Sequence, residues 1–403
     1  MKSKPNDPPV DLQQQVDRAL AQGGLDQLGT RELLGVLLSC LFHAERSGHL
    51  EQTVGDKGNG YYERTVDVGS LPTEVEVPRT RTGEFRPSQL PPPYQRGYGD
   101  AAGALLRQLV ASSRSLGAAR EALRGLDLSV SEKALDSVAR HFIDEFELRN
   151  TRPLDTDLLA LFIDAKYVEV READRLRPSC VYLAVGLGRD GKKHVLACQV
   201  LPGRESLEHW KSVLRSLIER GLRNVLLLVQ DDFSGLLGVT KSLFPTAEVQ
   251  LCIVHLQRNA KTHLGKAGAA EFNSRMRTIK AAWEPELAAS QFEELCQACE
   301  KDSPSFIAEV RKKREHYLAF LHYPEQVRRT FSTTNAVEAV NGQLEIMRRN
   351  NGGYFSSADN LKARLGIAMD RLENGRWSRV AASVSSALAQ LNAIFAARFE
   401  RSD

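Results

Sequence analysis

The sequence lacks any long hydrophobic run, and this absence argues against a segment that crosses a membrane. The longest apolar stretches, such as residues 33–38 and 225–229, are far shorter than the roughly 18 apolar residues that a membrane helix needs. Residues 1–11 are polar and proline-rich and have none of the apolar character of a secretory signal. We therefore expect a chain that stays in the cytoplasm and has no membrane partner.

Cysteine and net charge are also scarce. The chain has only six cysteines in 403 residues, and in a cytoplasmic protein these are expected to be reduced thiols. Its formal net charge is only +3, so charge by itself does not identify a nucleic-acid partner. With 42% hydrophobic and 26% charged residues the composition is that of a soluble globular protein. The length favours about two or three domains.

The N-terminal part of the chain predicts two regions. Residues 1–97 combine a helical pattern over 11–50 with a β-hairpin pattern over 60–85, whose turn lies at 69–72. Residues 98–150 return to helical spacing with short breaks and resemble a helix-turn-helix DNA-binding domain. The acidic and basic residues of this second region nearly cancel, so a small helical packing domain remains an alternative.

From residue 158 onward the pattern is that of an α/β fold with a mixed sheet. Strand-like segments, separated by turns and by two helical patterns, lie at residues 158–170, 180–187, 194–201, 223–230 and 249–254. The order β-β-β-α-β-α-β is that of the RNase H fold, in which the fourth strand lies parallel to and beside the first. We therefore predict an RNase H-like mixed five-stranded sheet.

A large all-helical insertion is predicted to interrupt this sheet domain. Residues 257–330 are helical in pattern and rich in charge. Helices are then predicted at residues 335–348, 361–374 and 376–398. Residues 151–403 are thus expected to form one RNase H-like domain that contains the insertion.

Two acidic residues lie where adjacent strands of this sheet would bring them together. Asp164 lies inside the apolar first strand, where a charge is costly unless it binds something, and Asp231 ends the fourth strand. Cutting a phosphodiester at neutral pH uses two cations about 4 Å apart, and oxygen ligands suit magnesium or manganese. The pair indicates a divalent-metal site, although acids at strand ends also occur as simple turn residues.

Asp232 and Glu338 each allow two interpretations. Two adjacent acids at the end of the fourth strand cannot both point inward, so Asp232 competes with its neighbour as a ligand. Glu338 lies three residues after Asn335, which is the spacing of a helix capping box. Glu338, Asn341 and Glu345 also share one face of the predicted helix, and a third acid on that face would complete the metal site.

Four motifs follow one another in a specific order. They are Asp164-Ala165, Asp231 with Gly235-Leu236, Val249-Gln250-Leu251-Cys252-Ile253-Val254-His255 with Arg258-Asn259, and Thr333-Thr334-Asn335-Ala336-Val337-Glu338 with Asn341-Gly342. In this order they resemble the Mutator-type transposases of bacterial insertion sequences, a family with an Asp-Asp-Glu active site. Residues 59–85 are also similar to the N-terminal region of that family.

The resemblance implies that Asp164, Asp231 and Glu338 are catalytic residues that hold two Mg²⁺ or Mn²⁺ ions. It favours Asp231 over Asp232, because the family usually has glycine at the second position. It also implies a DNA transposase that binds the terminal inverted repeats of its element, cleaves DNA strands and transfers them to target DNA. The insertion is then expected to grip the repeats, and the pairing of two ends predicts a homodimer on DNA.

Candidate DNA contacts surround these acids. Cys252 and His255 have the spacing of metal ligands, and Cys296 with Cys299 could complete a zinc site. In similar transposases the histidine of this motif lies close to the scissile phosphate, which favours His255 as a hydrogen-bond donor to DNA, with Cys252 in support. The further candidates are Arg258, Asn259, Lys261, Arg328, Arg329, Asn335, Asn341, Arg348 and Arg349. Such cations neutralise phosphate charge, although similar clusters are also common as solvated faces.

Two other functions share these features. A nuclease or resolvase with the RNase H fold would need the same carboxylates, and a non-catalytic DNA-binding protein could descend from a transposase. The large insertion and the separate N-terminal region favour a transposase over a nuclease. The presence of all three acids argues against a decayed enzyme.

Overall fold

The structure is a computed structural model that describes residues 30–53, 55–68, 71–88, 90–91, 97–98, 118, 121, 132–172, 175–282 and 284–400. It contains two compact units, Met1–Arg140 and His141–Asp403. Most of the predicted helix-turn-helix-like region lies outside the described residues. The predicted domain boundaries at residues 97 and 150 stay predictions.

The first unit is built on a β-hairpin that packs against a helix. Helix α1 (Thr30–Gln52) precedes strands β1 (Gly58–Val68) and β2 (Leu71–Thr80), which pair antiparallel. A short strand, β3 (Gly97–Tyr98), runs parallel to β1. The small core of this unit consists of the buried residues Phe42, Val66, Val75, Val77 and Leu90. The predicted hairpin is therefore confirmed.

The second unit contains the five-stranded mixed sheet. Its strands are β4 (Asp157–Glu172), β5 (Arg175–Gly188), β6 (Lys193–Pro202), β7 (Asn224–Gln230) and β8 (Glu248–Leu251). They lie in the order β6-β5-β4-β7-β8. The first three form an antiparallel meander, whereas β7 pairs parallel to β4 and β8 parallel to β7. This topology is the predicted RNase H-like one.

Helices cover both faces of the sheet. On one face, α3 (Leu207–Glu219) and α4 (Leu236–Leu243) form the crossovers around the buried Trp210. Helix α2 (Glu132–Thr151) contributes Phe146 to the core of the opposite face. Because both faces are covered, the central strands are continuous apolar runs instead of alternating ones.

The helical insertion docks on that opposite face. It consists of α5 (Ile253–Ala281), α6 (Pro285–Cys299), α7 (Pro304–Lys312), α8 (Arg314–Leu318), a 3₁₀ turn (Ala319–His322) and α9 (Glu325–Phe331). The chain continues with α10 (Asn335–Asn350), α11 (Ala358–Asn374) and α12 (Ala382–Phe399). Insertion, sheet and final helices share one hydrophobic core. None of the described helices is long and apolar enough to cross a bilayer.

The fifth strand and the last helix are shorter than the predicted 249–254 and 376–398. The strand ends early because Cys252 leaves the sheet and Ile253 begins α5, where its N–H donates to Ser332 O at 3.0 Å. The last helix begins late because the residues after α11 form a turn closed by their own main-chain hydrogen bonds. The apolar composition of both segments suits either conformation, so pattern alone misplaced their boundaries.

Candidate active site

Asp164 and Asp231 lie at the same level of two neighbouring parallel strands. Phe162 of β4 pairs with Val229 of β7, and each acid is two residues further along the chain. Asp164 is inside β4, whereas Asp231 directly follows the last residue of β7. The parallel crossover therefore brings together two acids that are distant in sequence.

The carboxyl group of Asp164 occupies a position where its charge is poorly solvated. Burial raises the pKa of Asp164 to about 6; the nearby His255 opposes this rise. The negative charges of Asp231 and Glu205 add to it. Asn341 Nδ2 donates a hydrogen bond to Asp164 Oδ2 at 2.7 Å. A carboxylate in this state gains strongly from a bound cation.

Asn341 is a partner of Asp164, which differs from its predicted role as a DNA contact. Asn341 is only 9% exposed, and its side-chain amide donates to the Asp164 carboxylate. A second contact joins the same two elements, since Lys166 Nζ of β4 lies 3.9 Å from Glu345 Oε2 of α10. The polar face predicted for α10 thus lies along β4.

Glu338 lies in the first turn of α10 and contacts Arg258. Its Oε1 is 3.5 Å from Arg258 Nη2, and its side chain is 33% exposed. The alternative capping box is not formed, because Thr334 and not Asn335 occupies the cap position of α10 and no side chain there caps the helix. The Glu338 carboxylate is therefore held by an ion pair at the surface.

Cys252 connects the elements that carry the acids. Its N–H donates to Gln230 O at 2.8 Å, directly before Asp231. Its buried Sγ lies 3.5 Å from Thr334 Oγ1, at the start of α10. Cys252 therefore ties the end of β7 to the helix of Glu338, and its supporting role in the site stays a prediction.

His255 faces Asp231 from the first turn of α5. Its Nδ1 lies 3.7 Å from Asp231 Oδ1. Burial opposes a charge on the ring, but the interaction with Cys252 and the charges of Asp231 and Asp164 raise the pKa of His255 to about 9. The ring is therefore cationic at neutral pH. A cationic imidazole donates hydrogen bonds to phosphate, whereas a metal ligand must be neutral.

Asp232 is held by the helical insertion. Its two carboxylate oxygens contact Lys313 Nζ at 2.9 and 2.8 Å, and Tyr317 OH donates to Oδ2 at 3.1 Å. The main-chain N–H of Asp232 donates to Asp231 Oδ1 at 2.6 Å. Because the insertion engages the Asp232 carboxylate, Asp231 is the better candidate ligand.

Glu205 is a further acid that the sequence pattern did not single out. It directly precedes Ser206, the N-cap of α3, and its Oε1 accepts a hydrogen bond from Trp210 Nε1 at 2.7 Å. Burial raises the pKa of Glu205, the Trp210 hydrogen bond lowers it, and the charge of Asp231 raises it again. The sequence does contain a signal for Glu205, because it is an acid shortly after β6. This strand runs parallel to β4, so an acid after its end lies on the side of the sheet where Asp231 follows β7.

The other predicted DNA contacts differ in exposure and in their partners. The exposed candidates are Arg258, Asn259, Lys261, Arg329, Asn335 and Arg349. Arg328 is occupied inside the protein, because its guanidinium donates to the main-chain oxygens of Ala282, Leu321 and Tyr323 at 3.0 Å each. Arg348 and the exposed Arg349 are both paired with Glu345, at 2.8 and 3.2 Å. We assign Arg328 to the packing of α9 and do not retain it as a DNA contact.

The described residues do not form a ready metal site. Among the residues that the structure describes, no three His, Cys, Asp or Glu side chains are already arranged around one metal position. Cys296 and Cys299 are buried free thiols on the core-facing side of α6. The oxygen donors of Asp164 and Asp231 suit a hard divalent ion, and the buried Asp164 carboxylate lacks a cationic hydrogen-bond partner of its own among the described contacts.

Comparison with known proteins identifies the family. The sequence profile "Transposase, Mutator family" matches residues 11–375. The probable transposase for insertion sequence element ISRM3-like of Sinorhizobium fredii is 28% identical over 378 residues, covering 91% of this chain and 92% of that protein. The transposase for insertion sequence element ISRM3 of Rhizobium meliloti gives the same identity and coverage: 28%, 91% and 92%.

A solved structure of the Drosophila P element transposase strand transfer complex covers 75% of this chain and 83% of that chain, with 14% identity and a TM-score of 0.28. That likeness is too low to bear on fold or function. The profile match over most of the sequence and the near-complete coverage of both relatives are decisive. This chain therefore belongs to the Mutator family of transposases.

Proposed function

We propose that this protein is the DNA transposase of an insertion sequence and that Asp164, Asp231 and Glu338 form its active site. The observation that supports this most is the convergence of three elements: β4, β7 and the start of α10. Asn341 links α10 to Asp164 at 2.7 Å, and Cys252 links α10 to the end of β7. The relatives named above are transposases for insertion sequences, in agreement with this assignment.

The three carboxylates would hold two Mg²⁺ or Mn²⁺ ions. Such ions activate the attacking oxygen and stabilise the leaving oxygen of a phosphodiester. Asp164 and Asp231 would be the fixed ligands, because they belong to the sheet. Glu338 would join them after leaving Arg258, since its helix is already tied to both strands. His255, cationic near neutral pH, would donate a hydrogen bond to a DNA phosphate.

The DNA substrates would be the terminal inverted repeats of the element and the target DNA. The exposed side chains of Arg258, Asn259, Lys261 and Arg329 lie on α5 and α9 and would contact the DNA backbone. Arg258 among them contacts Glu338. Because two ends are cut and joined together, we expect a homodimer on DNA.

The test is a strand-transfer assay with DNA that carries the matched terminal repeats of the element. Wild-type protein should nick and join these ends with Mg²⁺ or Mn²⁺, whereas Ca²⁺ should support assembly without productive cutting. Asp164→Ala, Asp231→Ala and Glu338→Ala should each lower the rate by more than about 1000-fold, because each removes metal-dependent stabilisation of several kcal/mol. All three variants should still bind the ends.

Other outcomes of this assay point to other functions. Cleavage without joining would indicate a nuclease or resolvase. Specific binding without any cleavage under all metal conditions would indicate a DNA-binding protein that has lost its chemistry. Full activity in excess chelator would exclude the metal mechanism.

A further inference from the structure

A sharp bend divides α5 at Gly265. This residue has φ 66° and ψ −172° inside an otherwise helical segment. That backbone region is essentially restricted to glycine. A side chain at Gly265 would meet no atom within 4 Å, so the constraint lies in the backbone conformation and not in space. The bend folds the two halves of α5 around a shared concave surface.

The concave surface is a basic notch of about 410 Å³. Its polar lining includes Arg258, Lys261 and Lys266, together with Gln257 and Asn273, and no acidic residue lines it. All three cations are exposed. In the described part of the chain, neither Lys261 nor Lys266 forms a salt bridge. We call this surface the α5 notch.

Arg258 belongs both to the α5 notch and to the candidate active site. It lines the notch, and its Nη2 lies 3.5 Å from Glu338 Oε1. Arg258 and Lys261 are three residues apart on one helix and therefore lie side by side. The Arg258 side chain is 63% exposed, and an ion pair so exposed is only weakly stabilised. An anion bound in the notch could therefore replace the Glu338 carboxylate as the ion-pair partner of Arg258.

We infer that the α5 notch binds a phosphate of the DNA backbone next to the cut site, and that this phosphate releases Glu338 from Arg258. Guanidinium binds phosphate through paired, charge-assisted hydrogen bonds, which a single 3.5 Å contact to a carboxylate does not match. Glu338 then completes the metal site only on DNA. This inference rests on the proposed function, because it assigns the step that assembles that same site.

The first experiment measures the salt dependence of DNA binding. Lys261→Gln and Lys266→Gln should each reduce the slope of log K against log salt, by up to about 0.9, the value for one fully lost phosphate contact. Arg277→Gln and Lys301→Gln change exposed cations outside the notch and should leave the slope unchanged. Gly265→Ala should reduce the slope as well, because it disturbs the bend. Unchanged slopes in both notch variants would overturn the inference.

The second experiment titrates Mn²⁺ into the protein without DNA. Arg258→Gln should bind Mn²⁺ more tightly than wild type, because Glu338 is no longer held. Lys261→Gln should bind Mn²⁺ as wild type does, because it leaves the ion pair intact. Adding terminal-repeat DNA should abolish the difference between Arg258→Gln and wild type. Equal Mn²⁺ affinity of these two proteins without DNA would contradict the release of Glu338.

The two proposals fail in different ways. If wild-type protein cuts and joins DNA and Asp164→Ala does not, the active-site assignment stands whatever the notch variants do. If the notch variants bind with unchanged salt dependence in that situation, only the notch is wrong. If no protein cuts or joins DNA, the proposed function is wrong, and the Mn²⁺ comparison still reports on the Arg258–Glu338 pair.

Discussion

Burial makes the negative charge of the Asp164 carboxylate unfavourable. Its pKa is raised from 3.8 to about 6, chiefly by burial. A group whose folded pKa is raised contributes its stability below the unfolded pKa and loses it as pH rises through the folded one. The charged carboxylate therefore costs the metal-free protein about 3 kcal/mol above pH 6. Binding of a cation would offset that cost.

Because the charge of Asp164 is unfavourable without metal, we predict that Asp164→Asn stabilises the protein and abolishes catalysis. Without metal at pH 7.5, the free energy of unfolding of the variant should exceed that of wild type by up to about 3 kcal/mol. The gain should shrink toward zero as pH falls through 6 to 4, where the wild-type carboxyl is protonated. Chemical denaturation at a series of pH values measures it. A variant less stable than wild type at pH 7.5 would show that Asp164 is not strained.

Asp232 illustrates a residue whose role the sequence left undecided. Its contact with Lys313 joins positions that are 81 residues apart, and no local pattern marks such a pair. We predict that Asp232→Asn lowers stability by about 1–3 kcal/mol, because a half-buried Lys313 loses the closer of its two charged partners and keeps only Glu309 at 3.7 Å. Lys313→Met should cost a similar amount, and the double variant less than the sum. Thermal melts of the three variants test the coupling; strict additivity would refute it.

At the scale of elements, close helix packing depends on particular glycines. Gly366 of α11 lies against α2, and a Cβ there would meet Phe142 O at 2.4 Å. Because main chain cannot yield as a flexible side chain does, Gly366→Ala should destabilise by about 1–3 kcal/mol. Gly238 of α4 is the control: nothing lies within 4 Å, so Gly238→Ala should stabilise by up to about 1 kcal/mol. Equal effects in melting experiments would contradict this packing.

The strands were predictable because each is a continuous apolar run bounded by turns, as expected of strands that are buried on both faces. The pairing of Asp164 with Asp231 followed from topology alone, since β4 and β7 are parallel neighbours. The start of α5 was missed because Cys252 and Ile253 are as suitable for a strand as for a helix. The bend at Gly265 was missed because a glycine in a helical pattern does not reveal its backbone angles.

At the scale of the whole molecule, the core of the second unit includes part of α2. Phe146 is buried in that core, and Arg149 Nε donates to Glu373 Oε2 at 3.1 Å. Deletion of residues 1–150 would remove both contacts. The isolated unit should therefore begin at Glu132, the first residue of α2. We predict that residues 132–403 fold, bind DNA weakly and lose preference for terminal repeats over scrambled ends.

The measurement compares the binding of full-length and truncated protein to terminal-repeat and scrambled DNA at several salt concentrations. It tests whether the N-terminal region recognises the repeat sequence. Non-specific phosphate contacts fade as salt rises, so a remaining preference isolates sequence reading. Loss of preference after truncation would assign the reading of repeats to the N-terminal region. A truncated protein that discriminates as well as the full chain would assign that role to the helical insertion.

Electron paramagnetic resonance can count the Mn²⁺ ions bound to the complex with terminal-repeat DNA, and this count tests whether Asp164, Asp231 and Glu338 hold the metal ions. We predict two bound ions for wild type and for Asp232→Asn, the matched control next to the site. At least one ion should be lost in Asp164→Asn, Asp231→Asn and Glu338→Gln. Two ions retained in Asp231→Asn, with loss in Asp232→Asn, would contradict the assignment.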